Sequence, residues 1–181
     1  MKHVYKYLFL SLFVLTPSFT WGQTQPNDRY KPMVSRINVL DTAGMDQKIN
    51  DLVSTSYELA DTTNALMYKM IYVDLLVVGH KQNAALDYAS KLILDSKSYG
   101  NDSVIGMSYY HSGKMFYELE DLVTASSMFN QSIQYFLKAD KWDWICIADD
   151  YIGILNLSAN RYEAAIESYL NYIKLVNENN Y

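Results

Sequence analysis

Histidine and cysteine, the side chains that most often bind zinc or act as nucleophile and base, are few and widely spaced in this sequence. Beyond position 22 the histidines are His80 and His111, which are 31 positions apart and have no second His or Cys three or four positions away. Zinc sites on helices usually need such spacing. We therefore expect two ordinary surface or groove histidines, and we predict no metal ion and no cofactor.

A single cysteine and a few acidic pairs are the other candidates for chemistry. Cys146 has no nearby His to activate it as a nucleophile, and a lone Cys more often behaves as a small buried apolar residue. Asp149 and Asp150 are adjacent carboxylates, but carboxylates alone do not specify acid–base catalysis. No glycine-rich phosphate-binding motif occurs. We therefore predict that the protein is not an enzyme.

Two tryptophans close together, Trp142 and Trp144, allow two interpretations. They could form an exposed aromatic anchor, the kind of residue that dominates many binding energies. They could instead pack between helices, because large aromatic side chains are usually mostly buried. We favour packing at the start of a helix.

Positions 1–22 have the pattern of a secretory signal peptide. A basic start precedes an apolar run at positions 7–19, and Thr20 and Gly22 place small residues ahead of a cleavage site before Gln23. A membrane span needs about 20 apolar residues. Cleavage is therefore favoured, and an uncleaved anchor is the alternative.

The net charge and the number of cysteines limit the cellular location of the protein and the classes of partner that it can bind. Loss of the two lysines of the signal peptide changes the formal net charge from −5 to −7, which disfavours nucleic acid, whose binding depends on Lys and Arg. Exported eukaryotic domains commonly contain paired cysteines, whereas Cys146 has no partner within the chain. We expect an exported protein, periplasmic or at the cell surface of a Gram-negative bacterium.

A helical pattern begins after a polar, proline-containing linker at 23–42 and continues through a domain at 43–181. Apolar residues there recur at i, i+3, i+4 and i+7, and all three prolines precede position 33. The seven predicted helices span about 43–59, 64–79, 82–96, 103–118, 121–138, 142–158 and 161–177.

These helices contain an internal repeat. Ala85, Ala125 and Ala165 are spaced 40 positions apart, and Gly113 and Gly153 have the same spacing. A fixed period of this length is typical of solenoids, whose units must stack to cover their apolar faces. Small residues at these positions would let the two helices of a unit approach closely.

The repeat resembles the tetratricopeptide pattern W-x2-L-G-x2-Y followed by A-x3-F. The middle unit reads Tyr109-x2-Ser112-Gly113-x2-Phe116 and then Ala125-x3-Phe129, and the third unit contains Arg161-Tyr-Glu-Ala-Ala165-x3-Tyr169. The first unit is degenerate, the closing Pro is absent, and the period is longer than the usual one of about 34 residues. The resemblance covers about 65–179 and is closest to the long repeats of extracytoplasmic regions in bacterial sensor proteins; an unrelated helical bundle is the alternative.

The resemblance implies an all-α, right-handed superhelical solenoid of antiparallel helix pairs. It also implies a non-catalytic module that holds a protein or peptide in its concave face. The alternative function is the ligand-sensing input region of a bacterial signal-transduction protein, a sensor kinase or a transcriptional regulator.

In tetratricopeptide proteins the first helix of each unit offers four positions to the concave face. The positions that match in this sequence are Met67, Met70, Asp74, Val77, Met107, Tyr110, Lys114, Tyr117, Ile147, Asp150, Ile154 and Leu157. The family's clamp for a partner's carboxylate is not reproduced, because only Lys114 matches it. We therefore expect an apolar, Met- and Tyr-rich groove for a hydrophobic or amphipathic segment.

The last predicted helix has more apolar surface than packing on one side requires. Its apolar residues are Tyr162, Ile166, Tyr169, Leu170, Tyr172, Ile173 and Val176. We expect this surface to be covered, either in a homodimer or by further helices of a longer protein.

Overall fold

The computed structural model describes residues 44–178, and its regular structure there is entirely α-helical. This confirms the predicted all-α class. The predicted signal peptide (1–22) and linker (23–42) lie outside the described residues. Residues 44–178 form seven helices: α1 Met45–Glu58, α2 Thr62–Val78, α3 Gln82–Tyr99, α4 Asp102–Glu118, α5 Leu122–Lys138, α6 Trp142–Ser158 and α7 Tyr162–Glu178.

Helices α2 to α7 begin at positions 62, 82, 102, 122, 142 and 162, so each repeat consists of two helix-and-turn units of equal length. The predicted boundaries differ from the observed ones by two or three residues at three helix ends, one of which is the start of α1 at Met45. Helix α2 begins two residues earlier than predicted because the side chain of Asp61 accepts a hydrogen bond from the backbone N–H of Asn64 and caps the helix. Helix α3 continues to Tyr99 because Gly100, with a φ of 76°, supplies the left-handed residue that ends it.

The turns between helices share one backbone conformation. A residue with positive φ occupies positions 60, 80, 100, 120, 140 and 160. At five of these turns the next N–H donates to a carbonyl five residues earlier, as from Asp61 to Ser56 at 2.8 Å and from Arg161 to Asn156 at 2.8 Å. This is the Schellman arrangement, which satisfies carbonyls that the end of a helix leaves free.

Contacts between small and large residues also recur with the period of the repeat. A Cβ atom built on Gly113 would lie 2.9 Å from the Phe129 ring, and one built on Gly153 would lie 2.8 Å from the Tyr169 ring. Backbone and ring therefore touch at these positions, because neither glycine has a side chain in the way. The three repeated alanines, including Ala125, are 0% exposed.

Each helix packs against the next helix in the chain, and α2 also packs against α4. The core between α4, α5 and α6 is aromatic: the Trp144 ring stacks on Phe136 and meets Tyr110 edge-on. Trp144 is 7% exposed and Cys146 is buried, which confirms the packing predicted for these two residues, whereas Trp142 is only half-buried. No helix of residues 44–178 is both long enough and apolar enough to cross a membrane.

Candidate partner-binding face

The twelve expected contact positions lie on α2, α4 and α6, four on each helix. We call the surface at these positions the α2–α4–α6 face. Helices α2 and α4 pack directly against each other, and the rings of Tyr110 and Tyr151, with centroids 5.6 Å apart, join α4 to α6.

Three of the expected contact residues belong to the core instead. Met70, Met107 and Tyr110 are each 1% exposed, so they have no surface to offer a partner in this structure. The Tyr110 ring is surrounded by other aromatic rings, among them Phe129 at a centroid distance of 5.8 Å. The helices of successive units pack closely enough to enclose these long side chains, and the expected Met- and Tyr-rich groove is correspondingly less rich in both residue types.

Nine of the twelve residues keep some exposed surface. Leu157 is the most exposed, at 45%. The other eight are half-buried: Met67, Asp74, Val77, Lys114, Tyr117, Ile147, Asp150 and Ile154. Accessible apolar residues of the face therefore lie on all three helices, and the most exposed of them is Leu157 on α6.

A charged cluster connects α2 to α4 in the middle of this face. Asp74 Oδ2 accepts a hydrogen bond from Lys114 Nζ at 3.0 Å and lies 3.0 Å from His111 Nδ1. His111 is 4% exposed, and the side chains of Asp74 and Lys114 are 29% and 22% exposed. Charges removed from water to this extent are stable only when they are paired.

The pairing also sets the ionisation of Asp74. Burial alone would raise the pKa of its carboxyl, but the charge of Lys114 and the adjacent His111 ring together hold that pKa well below its usual range. The negative charge of Asp74 likewise raises the pKa of Lys114 in spite of that residue's burial. Asp74 and Lys114 therefore remain ionised near neutral pH.

This cluster was not predicted, although the sequence contains a signal for it. Asp74 and Lys114 are separated by one full period of the repeat, so they occupy the same position in consecutive units, where opposite charges on adjacent helices can meet. Because Lys114 is already paired with Asp74, it is not a free cation for a partner's carboxylate. Of the two histidines expected at the surface or in the groove, His80 is exposed, whereas His111 is buried in this cluster.

On α6, one carboxylate lies in an unfavourable environment. Asp149 Oδ2 is buried and has no hydrogen-bond partner among the described residues, and burial, with the nearby charge of Asp150, raises the pKa of Asp149 to about 6. The equivalent residues of earlier units have partners. Lys69 pairs with Asp95 at 2.6 Å, and the Tyr109 ring stacks on a neighbouring tyrosine.

No protein-family model, no curated protein and no solved structure gives a significant match to the chain. Within residues 44–178 there is no group of three or more His, Cys, Asp or Glu side chains that could hold a metal ion. The α2–α4–α6 face therefore consists of apolar side chains around the cluster of Asp74, His111 and Lys114, and it also contains the carboxylate of Asp150.

Proposed function

We propose that this protein is an exported, non-catalytic binding module of the tetratricopeptide type. Its helices would form a right-handed superhelical solenoid of antiparallel pairs and hold a protein or peptide segment against the α2–α4–α6 face. The observation that carries the proposal is the recurrence of one helix-and-turn unit at a constant interval from α2 to α7.

The recurrence supports a binding role because stacked units repeat the same positions along one surface. Equivalent residues of α2, α4 and α6 would then form a continuous strip that an extended or helical segment can follow. The Asp74–Lys114 ion pair between α2 and α4 would hold two of these helices in register, and a rigid surface loses less entropy when it binds.

The accessible residues favour an amphipathic segment over a purely hydrophobic one. Ile147, Ile154 and Leu157 offer apolar contacts on α6, and Asp150 on the same helix offers a carboxylate. The chain as a whole is acidic. We expect the bound segment to place apolar side chains on α6 and at least one Lys or Arg near Asp150, because complementary charges guide association.

Site-specific photocrosslinking in the native organism tests this proposal. A photoreactive amino acid at Tyr117, Ile154 or Leu157 should crosslink to the same protein from all three positions. Leu94 on α3 and Leu137 on α5 are the matched controls, because they are exposed apolar residues outside the face, at 65% and 45%.

Two results would reject the proposal. One is equal crosslinking from the control positions, which would indicate non-specific contact. The other is retention of the same crosslinked protein when Ile154→Glu places a charge in the middle of the apolar contacts on α6, since a buried unpaired charge at an interface costs several kcal/mol, roughly a hundredfold or more in affinity.

A further inference from the structure

Helix α7 exposes a continuous apolar stripe. Tyr162, Ile166, Leu170 and Ile173 are 56%, 59%, 61% and 51% exposed. They recur at intervals of four, four and three residues, so they lie along one side of the helix. Contiguous exposed apolar surface of this kind usually marks a contact with another molecule.

Comparison with α5 shows which residues of this stripe occupy positions that are partly buried in an earlier unit of the repeat. Ile166 and Ile173 match Ser126 and Ile133 of α5. Both of those residues are half-buried, and α6 packs on α5. A helix placed on α7 as α6 is placed on α5 would therefore cover Ile166 and Ile173.

Leu170 is not explained by such a helix. The equivalent residues are Ser90 on α3 and Asn130 on α5, and both are polar and exposed even though another helix packs on α3 and on α5. A further repeat helix would leave Leu170 in water. Leu170 thus extends the apolar stripe towards the outer side of α7, and a partner that covers Leu170 must lie there.

Two charges beside the stripe favour a second copy of this chain as that partner. Glu163 and Lys174 are exposed residues at opposite ends of α7, separated by three helical turns. The midpoint between them falls at positions 168–169, and the midpoint between Ile166 and Leu170 falls at 168. Two antiparallel copies of α7 with Ile166 facing Leu170 therefore bring opposite charges together at both ends.

We propose that two copies of this chain associate through α7, antiparallel, with the Ile166 and Leu170 side chains at the centre of the contact. Glu163 of each copy then faces Lys174 of the other. A parallel arrangement would place like charges opposite each other, at a cost in stability. Within its own chain Lys174 lies 3.9 Å from Glu178, both side chains being more than half exposed, and that contact is weak enough to exchange.

The contact would be modest in size. Helix α7 has 17 residues and is about 25 Å long. One pair of such helices buries less surface than the interface of a typical permanent dimer. We therefore expect a reversible dimer with a dissociation constant in the micromolar range. The pairing does not depend on what the α2–α4–α6 face binds.

Sedimentation equilibrium tests the proposal. The protein is expressed from its full sequence and measured in the form that the cell produces, with whatever N-terminus processing leaves. The wild-type protein should pass from monomer to dimer between about 1 and 100 µM, consistent with micromolar association. The double variant I166S/L170N installs the residues that α5 has at the same positions, so it should fold normally. It should weaken dimerisation by about 30-fold or more, because both central apolar contacts are lost.

Val123→Glu is the matched control. Val123 is 83% exposed on α5 and occupies the position of Glu163, so the variant removes exposed apolar surface elsewhere and should leave dimerisation unchanged. A monomer at every concentration, or a dimer that the double variant leaves intact, would overturn the proposal.

Charge reversal tests the antiparallel arrangement by itself. Glu163→Lys and Lys174→Glu should each weaken the dimer by about threefold to tenfold, as exposed ion pairs do. The two reversals combined should restore wild-type association, since opposite charges face each other again. Failure of the combined variant to recover would show that these residues do not meet across the dimer.

Discussion

At the scale of single residues, equivalent positions of the three units hold side chains of different chemical type. At one of these positions the side chain destabilises the fold. Lys69 in the first unit has an ionic partner, and Tyr109 in the second has a stacked ring. Asp149 in the third leaves one carboxylate oxygen buried without a hydrogen bond. Position 149 is therefore a site where the fold tolerates a charge that destabilises it.

Replacement of this carboxylate by a neutral amide should stabilise the protein at neutral pH. The pKa of Asp149 is about 6 in the folded chain and about 3.9 when unfolded. The folded state thus binds the proton more tightly, and the cost of the ionised group is present above pH 6 and absent below about pH 4. Because Asp149 is partly exposed, we expect Asp149→Asn to gain only about 1 kcal/mol at pH 7.5.

Urea denaturation at two pH values measures this gain. The variant and the wild-type protein should have nearly equal free energies of unfolding at pH 4, because the Asp149 carboxyl is protonated in the folded chain there and about half protonated in the unfolded chain. Glu58→Gln, at the exposed end of α1, is the control and should change little at either pH. A gain that is equally large at pH 4 would show that the charge of Asp149 is not its cause.

At the scale of helices, the two glycines of the repeat should differ in their tolerance of alanine. Alanine favours the helix by about 1 kcal/mol over glycine, but the new Cβ must displace a ring. The Phe129 ring facing Gly113 is fully buried, whereas the Tyr169 ring facing Gly153 is half-exposed and has room to move. We expect Gly113→Ala to lower stability by about 2 kcal/mol and Gly153→Ala to be nearly neutral.

Chemical denaturation of both variants measures the change in the free energy of unfolding. A second substitution, in the facing ring, tests whether the contact between Cβ and ring causes that change. Phe129→Leu combined with Gly113→Ala should cost less than the sum of the two single changes, because the smaller side chain makes room for the Cβ. Strict additivity would argue against the close approach of helix and ring.

The turns between helices provide a second prediction at this scale. Ala60 has a φ of 55°, a conformation that costs a residue with a Cβ roughly 1–2 kcal/mol. Ala60→Gly should therefore raise the free energy of unfolding by about 1 kcal/mol, after the greater flexibility of glycine in the unfolded chain is taken into account.

Gly100 allows the reverse experiment. It has a φ of 76°, and a Cβ there would meet no atom within 4 Å. Gly100→Ala should thus lower stability by about 1 kcal/mol through backbone conformation alone. If thermal or urea unfolding showed no change for either variant, the repeated left-handed turn would not be the conformation in solution.

At the scale of the whole molecule, the predicted export is open to a direct test. Mass spectrometry of the cell-envelope fraction should find a chain that begins at or near Gln23, because Thr20 and Gly22 suit a signal peptidase. The matched variant Gly22→Tyr, with a bulky residue next to the cleavage site, should accumulate the unprocessed chain. An intact Met1 on a soluble cytosolic protein would contradict export.

The sequence by itself determined the helices and the period of the repeat. The apolar spacing along α4 and α5 and the residues at the turns act over a few positions of the chain, and the interval of 40 positions between Gly113 and Gly153 repeats this local pattern. Such local features specify an element wherever it lies in the molecule. The predicted helix boundaries accordingly agree with the observed ones to within about three residues.

The tertiary structure alone decided which residues of the α2–α4–α6 face are accessible. Met70, Met107 and Tyr110 match the contact positions of the repeat, yet neighbouring helices enclose them. Asp74 meets His111 and Lys114 only because α2 packs on α4. Burial and pairing across 37 and 40 residues of sequence depend on how closely two helices approach, which the side chains of both helices determine together.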